Sequence, residues 1–280
     1  MRNLDDMRVV NSPWFEYLTR ILESGDHDSD LVLGALSFTP DFALHVLALA
    51  NSPTFSASTP IERLDRAVFL LGRKTIRDLA RNVELSPVDL TDSQSPISWA
   101  DFVLESVAVA TGASLIARAA QIPLVEEART AGLIHDLGFE VLARENGPKL
   151  QEAWDAAKIT GTRLVDQERV FCGTDHCEVI EEILGAGGLP DSLTIACGLH
   201  HDPLVAPSDH RYLTILLYAG ECLAHRAGLQ HGKSTRPLLE DRIFAELRLD
   251  ESVTSSFIPM LLTELERLGL SPRTTTLARV

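Results

Sequence analysis

The chain has 280 residues, a formal net charge of −15 and a hydrophobic content of 45%. This composition supports a packed core and argues against an intrinsically disordered chain. The acidic excess disfavours binding to a phosphate backbone, so we expect no nucleic-acid partner. One basic group is typical of a solvated helix face and consists of Arg73, Lys74, Arg77 and Arg81.

The N-terminal ten residues carry early acids and have no apolar signal core. No stretch reaches the roughly 18 uncharged apolar residues that a membrane span needs. The segment from Leu31 to Ala50 comes closest, but Asp41 and His45 interrupt it. The cysteines form no CxxC pair and are typical of free thiols in a reducing compartment: Cys172, Cys177, Cys197 and Cys222. We therefore expect a cytoplasmic protein without membrane contact.

Two helices near the N-terminus are predicted from proline-containing start signals. Thr39-Pro40-Asp41 combines an N-cap, a proline at the first helical position and an acid in the first turn. This helix is expected to end at about Asn51, before Ser52-Pro53. Thr59-Pro60-Ile61-Glu62 has the capping-box pattern and predicts the next helix start. Gly72 is the predicted C-cap of that helix.

The segment from Leu85 to Pro96 is rich in Pro, Asp and Ser and has little apolar periodicity. It predicts a junction between an N-terminal helical subdomain, residues 1–95, and a C-terminal one, residues 96–280. Beyond it, helical periodicity recurs in segments that start or end at recognisable signals. These are Trp99 to Ala120, Leu124 to His135, one starting at Gly147-Pro148, one capped by Thr174, one ending at His200-His201, Leu213 to Ala227, and Glu251 to Leu268.

Strand signals are few, and no P-loop is present. The glycines at Gly185, Gly187 and Gly188 follow a predicted helix rather than a strand, so they indicate a helix stop and not a dinucleotide loop. The predicted fold class is therefore all-α, with two packed helical subdomains.

Histidines of the C-terminal half concentrate at predicted helix ends, as His135-Asp136, His176 and His200-His201. Imidazole and carboxylate groups bind first-row divalent metals. A His-Asp pair at a helix end can direct two ligands to one point. His200 and His201 cannot share one face of a regular helix, so one could face a site and the other a second ligand or metal. Each residue alone could be an ordinary hydrogen-bonded side chain, but their combination indicates a metal site.

The segment Gly132 to Gly138, GLIHDLG, resembles the signature of the HD superfamily of metal-dependent phosphohydrolases. From about Leu31 to Gly228 the chain more closely resembles the HDOD branch of that superfamily. This resemblance depends on residues 46–53 (VLALANSP), on residues 61–72 and on later elements that end in His200-His201-Asp202-Pro203. Gly187 stands where a tryptophan is usual. The resemblance implies an all-α fold whose C-terminal subdomain is HD-like.

The resemblance also implies a metal site. Glu105 falls where the superfamily has its first histidine ligand, and Glu221 falls near its closing aspartate; both could equally be ordinary helix-surface residues. His135 and Asp136 would be the catalytic residues of an active member. The full set of implied metal positions is Glu105, His135, Asp136, His176, His200, His201 and Glu221. The divalent metal could be Fe, Mn, Zn, Ni or Mg.

Two functions follow from the resemblance. HDOD proteins are generally signalling domains, which implies a cytoplasmic regulatory module of signal transduction that contacts another signalling protein. The alternative is a metal-dependent phosphohydrolase with a nucleotide or cyclic dinucleotide as its ligand. Phosphodiesterases of the related HD-GYP branch have a lysine after the His-Asp segment and a Gly-Tyr-Pro motif downstream. Here Phe139 takes the lysine position and Gly-Tyr-Pro is absent, so we favour the regulatory function.

The cysteines allow a different metal site. Cys172, His176 and Cys177 lie close together in sequence, and Cys197 precedes His200 by one helical turn. A structural zinc site could be drawn from them, but the usual paired CxxC spacing is missing. We therefore favour buried thiols.

Overall fold

The computed structural model describes residues 2–24, 28–55, 59–86, 96, 98–229 and 240–270. Within these ranges nearly all regular secondary structure is helical, which confirms the all-α prediction. The helices are α1 (Pro13–Glu23), α2 (Ser29–Leu36), α3 (Pro40–Asn51), α4 (Leu64–Ala80), α5 (Trp99–Ala119), α6 (Val125–Ile134), α7 (Leu137–Thr160), α8 (Leu164–Cys172), α9 (His176–Ala186), α10 (Asp191–Gly198), α11 (Arg211–Arg226), α12 (Glu240–Glu246) and α13 (Glu251–Arg267).

Short elements complete the described chain. Two 3₁₀ turns span Leu4–Asp6 and Pro203–Val205. Strands β1 (Val9–Val10) and β2 (Leu85–Ser86) pair in parallel. The predicted junction continues beyond β2 into residues 87–95, which lie outside the described residues, so the subdomain boundary stays a prediction.

Helix α4 begins later than its sequence pattern predicts. The expected capping box at residues 59–62 is wrong, because α4 starts at Leu64. The Asn51 side chain accepts the Ile61 N–H and donates to the Ile61 carbonyl, both at 2.9 Å, which keeps this residue outside the helix. The Leu64 N–H donates to Thr130 Oγ1 at 3.0 Å. Tertiary hydrogen bonds thus replace the local cap.

Two predicted helix ends are kinks in the structure. Gly72 has φ of 68° and ψ of 158°, a conformation open to glycine, but α4 resumes after it and continues to Ala80. Similarly, the predicted start at Gly147-Pro148 follows a non-helical Asn146 inside α7. A sharp kink of this kind is typical next to proline. The sequence prediction missed the first part of α7.

Caps and ends around α9 and α10 also differ slightly from the predictions. The side chain that caps α9 belongs to Asp175, which accepts the Glu178 N–H at 2.9 Å, and not to Thr174. The predicted glycine stop is present, because α9 ends at Ala186. Helix α10 ends at Gly198, so the two adjacent histidines lie in the turn that follows it.

Helix α5 is the centre of the C-terminal half and packs against α6 and α11. The approach to α11 depends on small residues: a Cβ added to Gly220 would lie 2.7 Å from the Val109 carbonyl oxygen. Helix α5, rather than the segment at 31–50, has the length and composition of a membrane span. However, 83% of its most apolar stretch is buried inside the protein, as in a core helix.

Candidate metal centre

Four histidines from three parts of the chain surround one aspartate. His135 follows α6, His176 is the first residue of α9, and the adjacent His200 and His201 follow α10. Asp136 Oδ1 lies 3.4 Å from Nε2 of His176 and 3.5 Å from Nε2 of His200. Asp136 Oδ2 lies 3.5 Å from Nε2 of His135. The structure therefore brings five of the predicted site residues together.

Backbone carbonyls fix the tautomers of two of these histidines. Nδ1–H of His135 donates to the Gly132 carbonyl at 2.9 Å, and Nδ1–H of His200 donates to the Cys197 carbonyl at 2.6 Å. A carbonyl can only accept, so Nδ1 carries the proton and Nε2 of the neutral ring has the lone pair. In each case this Nε2 faces Asp136.

The donor set fits a divalent cation. A lone pair on Nε2 of His200 and the Asp136 carboxylate oxygen repel each other unless a proton or metal ion lies between them. Nε2 of His176 and Nε2 of His201 are 3.0 Å apart. With metal–nitrogen bonds of about 2.1 Å, neighbouring ligand atoms are separated by about 3.0 to 3.4 Å. Imidazole and carboxylate at this spacing could hold such an ion.

Sequence reasoning missed one carboxylate of this centre. Glu168 on α8 is fully buried, and its Oε2 accepts Nδ1–H of His176 at 2.6 Å. The same oxygen accepts the His176 backbone N–H at 3.0 Å. Only the histidine itself was singled out, because a buried glutamate within a helix has no local sequence signal. Its role becomes visible when α8 and α9 are seen together.

Neither Glu105 nor Glu221 is an exposed surface residue, and Glu221 lies beside a histidine. Glu221 on α11 places Oε2 at 3.5 Å from Nδ1 of His201. The pKa of Glu221 is raised to about 7, mainly by burial; His200 and His176 lower it, whereas the charges of Asp136 and Glu105 raise it. Glu105 is buried on the adjacent helix α5. Among the described residues, potential ligand atoms lie closest together in two groups, His176, Cys177, His200 and His201 in one and His135, Asp136 and His200 in the other. Neither glutamate belongs to these groups, so both are weaker candidates for ligands.

Burial lowers the pKa of both His201 and His176, but the neighbouring groups shift the two pKa values in opposite directions. Burial lowers the pKa of His201 well below its ordinary value, and the neighbouring His200 and His176 lower it further. Burial also opposes the charged form of His176, but the Glu168 carboxylate, which accepts its Nδ1–H, favours that form and the pKa of His176 is raised. In the absence of metal, His176 is therefore the donor in the hydrogen bond between the two Nε2 atoms.

The cysteines are free thiols, as the sequence suggested. Cys177 Sγ lies 3.7 Å from Nδ1 of His200, at the edge of the centre. Burial raises the pKa of Cys177 to about 12 in the metal-free protein. Its Sγ nevertheless lies with ligand atoms of His176, His200 and His201 in one group of potential metal ligands. Cys172 belongs to neither group of potential ligand atoms. Of the three cysteines in the zinc alternative, the structure thus brings only Cys177 together with the histidines.

Two other side chains define the surroundings. Phe139 is buried, and its ring centre lies 6.2 Å from that of His176. Arg163 at the start of α8 binds the carboxylate of Asp202, which follows His201, through two contacts of 2.7 and 3.0 Å. This cation next to the centre is already paired.

The fold and this centre define an all-helical protein with a histidine–aspartate site of the HD type. The chain belongs to the HDOD domain family, whose model matches residues 12–203. The resemblance found in the sequence is therefore confirmed.

Solved structures similar to this chain share its fold. The MmoQ response regulator of Methylococcus capsulatus matches with a TM-score of 0.67 and 19% identity over 91% of this chain and 98% of that chain. An HDOD domain protein of Geobacter sulfurreducens matches with a TM-score of 0.54 and 23% identity over 91% and 90%. A virulence factor of Campylobacter jejuni matches with a TM-score of 0.61 and 16% identity over 96% and 89%. None of the curated proteins compared with the chain matches it.

Proposed function

We propose that this protein is a cytoplasmic regulatory HDOD module of signal transduction that binds a divalent metal ion without turning over a phosphate substrate. The observation that carries this proposal is the burial of most of the centre, in which His201, at 25%, is the most exposed histidine. The side chains of His135, Asp136, His176 and His200 are at most 8% exposed. A substrate phosphate would have to reach ligands that other side chains cover.

The surroundings of the centre support the same conclusion. Phosphoryl transfer needs cations placed on the developing negative charge. At the position where the HD-GYP branch has a lysine, the Phe139 ring packs against the rings of His176 and Trp154. Arg163 is held by Asp202. Neither position offers a free cation to a substrate.

The metal would be held by His135, Asp136, His176, His200 and His201, with Glu221 as a further carboxylate. A donor set rich in imidazole suits Fe, Mn, Zn or Ni better than Mg, which prefers oxygen ligands. The bound ion would link the end of α6, the start of α9 and the turn after α10, because ligands from all three would bind it. Metal binding would thus fix the relative positions of these helix ends.

A metal-dependent phosphohydrolase is the second candidate function, and one observation favours it. Asp136 lies between His135 on one side and His176 on the other, at 3.5 and 3.4 Å, which is where a carboxylate bridging two ions would lie. Two adjacent ions could activate water for attack on phosphorus.

Metal analysis with turnover assays separates the two functions. We expect the purified protein to retain divalent metal and to show no turnover of nucleotides or cyclic dinucleotides with Mn²⁺ or Fe²⁺. Asp136→Asn should lose the metal, whereas Asp209→Asn, an exposed loop position, should keep it. Turnover that disappears in Asp136→Asn would establish the enzyme instead. A wild-type protein that takes up no divalent metal would refute the metal-binding part of the proposal.

The partner surface that we propose lies on α4. Phe69 is 89% exposed, and it lines a groove of about 780 Å³ together with Phe55 and Ile61. Arg66 lies exposed on the rim, so the matching partner would present an apolar side chain next to a carboxylate. The residues before α4 also contact the metal-site helices, because Ser192 of α10 donates to Glu62 at 2.6 Å. A contact at this groove could therefore act on the centre.

Replacement of Phe69 by serine is expected to leave stability unchanged, within about 0.5 kcal/mol, because an exposed ring contributes little to folding. The same change at buried Phe15 should cost about 3 kcal/mol or more. Urea denaturation measures both. A loss above about 1 kcal/mol for Phe69→Ser would show that this ring packs inside the protein and is not available to a partner.

A further inference from the structure

Glu168 is a buried carboxylate whose hydrogen bonds serve a single residue. Its Oε2 accepts both the ring Nδ1–H of His176 at 2.6 Å and the backbone N–H of His176 at 3.0 Å. Among the residues that the structure describes, Oε1 of Glu168 has no hydrogen-bond partner. Burying a carboxylate costs folding free energy unless a hydrogen-bond donor or an opposite charge pairs with it. His176 is the partner that this fold provides.

We propose that Glu168 is a positioning residue that directs Nε2 of His176 into the metal centre. This inference rests on the metal binding proposed above. The hydrogen bond at Nδ1 keeps the proton on that nitrogen and fixes the plane of the ring. A carboxylate acceptor also makes the opposite nitrogen more basic and hence a stronger ligand. Nε2 of His176 is consequently held 3.4 Å from Asp136 Oδ1 and 3.0 Å from Nε2 of His201.

A purely structural role in capping α9 does not account for this arrangement. The N-terminus of α9 already has a side-chain cap, because Asp175 accepts the Glu178 N–H at 2.9 Å. Asp175 in turn is paired with Arg169 at 2.5 Å. The bond from Glu168 to the imidazole ring adds nothing to that cap. Its effect falls on the orientation of one potential ligand.

The arrangement also differs from that of the other two buried histidines. His135 and His200 donate Nδ1–H to backbone carbonyls of their own helices. His176 is the first residue of its helix, and it has no carbonyl one turn earlier within α9 to accept its ring proton. A side chain from another helix must therefore take that role, and α8 supplies it.

The test compares Glu168→Ala and Glu168→Gln with wild type and with Glu152→Gln, an exposed position on α7. Co²⁺ affinity is measured by chelator competition, and its visible spectrum reports the ligands. The Nδ1–H proton of His176 is followed by NMR in the metal-free protein. We expect Glu168→Ala to weaken Co²⁺ binding about 10- to 100-fold and to lose the slowly exchanging Nδ1–H resonance. Glu168→Gln retains an acceptor oxygen and should recover part of both, while Glu152→Gln should match wild type.

The outcomes distinguish this inference from the proposed function. Unchanged Co²⁺ affinity and an unchanged Nδ1–H resonance in folded Glu168→Ala would overturn the positioning role. If Glu168→Ala does not fold, Co²⁺ affinity and the Nδ1–H resonance are measured on Glu168→Gln instead. Wild-type values for both in that variant would show that the carboxylate is not needed and would overturn the proposal. A wild-type protein that binds no Co²⁺ contradicts the proposed metal binding, and the metal-free NMR comparison still decides whether Glu168 orients His176.

Discussion

Gly138→Ala is expected to destabilise the protein by about 3 kcal/mol or more and to weaken metal binding. A Cβ at this position would lie 2.0 Å from the carbonyl oxygen of His176 and 2.9 Å from the backbone nitrogen of Ile180. Both atoms belong to backbone and cannot rotate away, so α7 and α9 would have to separate. Overpacking of a core typically costs about 1–3 kcal/mol, and more where backbone must move. The displaced element is the one that carries a potential ligand.

Gly185→Ala is the matched control for this experiment. Gly185 lies in α9, and an added Cβ would meet no atom within 4 Å. Alanine is the better helix former, so this variant should gain about 0.5–1 kcal/mol. Urea denaturation measures the free energy of unfolding of both variants, which should decrease for Gly138→Ala and increase for Gly185→Ala. Equal stabilities for the two variants would contradict the close approach of α7 and α9.

The stability of the protein is expected to fall as the pH rises from about 4.5 to 7. Two buried carboxyl groups, Asp41 on α3 and Glu140 on α7, each have a pKa raised to about 7, mainly by burial. The positive charges of Arg144 and Arg8 lower the pKa of Glu140, whereas the negative charge of Asp41 raises it. The folded protein therefore holds protons that the unfolded chain releases near pH 4 to 4.5. Stability is fully present below that range and is lost up to about pH 7.

Glu140→Gln tests this pH dependence. A rise in pKa from 4.5 to about 7 corresponds to roughly 3 kcal/mol of proton-linked stability for this one group. The variant has no proton to lose, so its free energy of unfolding should decrease less between pH 5 and pH 8 than that of wild type. Glu152→Gln, exposed on the same helix, should keep the wild-type slope. A Glu140→Gln slope equal to that of wild type would show that Glu140 is ionised throughout this pH range.

Helix limits were predictable where local signals act alone. Proline at the first helical position marks the start of α3, and the predicted end at Asn51 agrees with the structure. The start of α4 was not predictable, because Asn51 and Thr130 compete with the local cap from distant parts of the chain. A capping-box pattern describes only the hydrogen bonds that a segment can form within its own first helical turn. It contains no information about hydrogen bonds from other helices.

Candidate ligands were predictable to the extent that they interrupt helices. His135-Asp136 and His200-His201 stand at helix ends, where residue type and position are both unusual. Glu105 and Glu221 lie within long helices and could be named only through the family resemblance. The helices that carry them, α5 and α11, cross closely, since a Cβ at Gly112 would lie 3.3 Å from the Gly220 carbonyl oxygen. Single glycines within helices of this kind are the one local signal of that crossing.

The different anchors of the histidines make some substitutions more damaging than others during evolution. Main-chain carbonyls hold His135 and His200, and nearly any mutation of neighbouring side chains leaves those carbonyls in place. The anchor of His176 is one side chain, which a single codon change can remove. If selection for the proposed metal site ceased, the orientation of His176 would therefore be lost first, whereas His135 and His200 would keep theirs for longer.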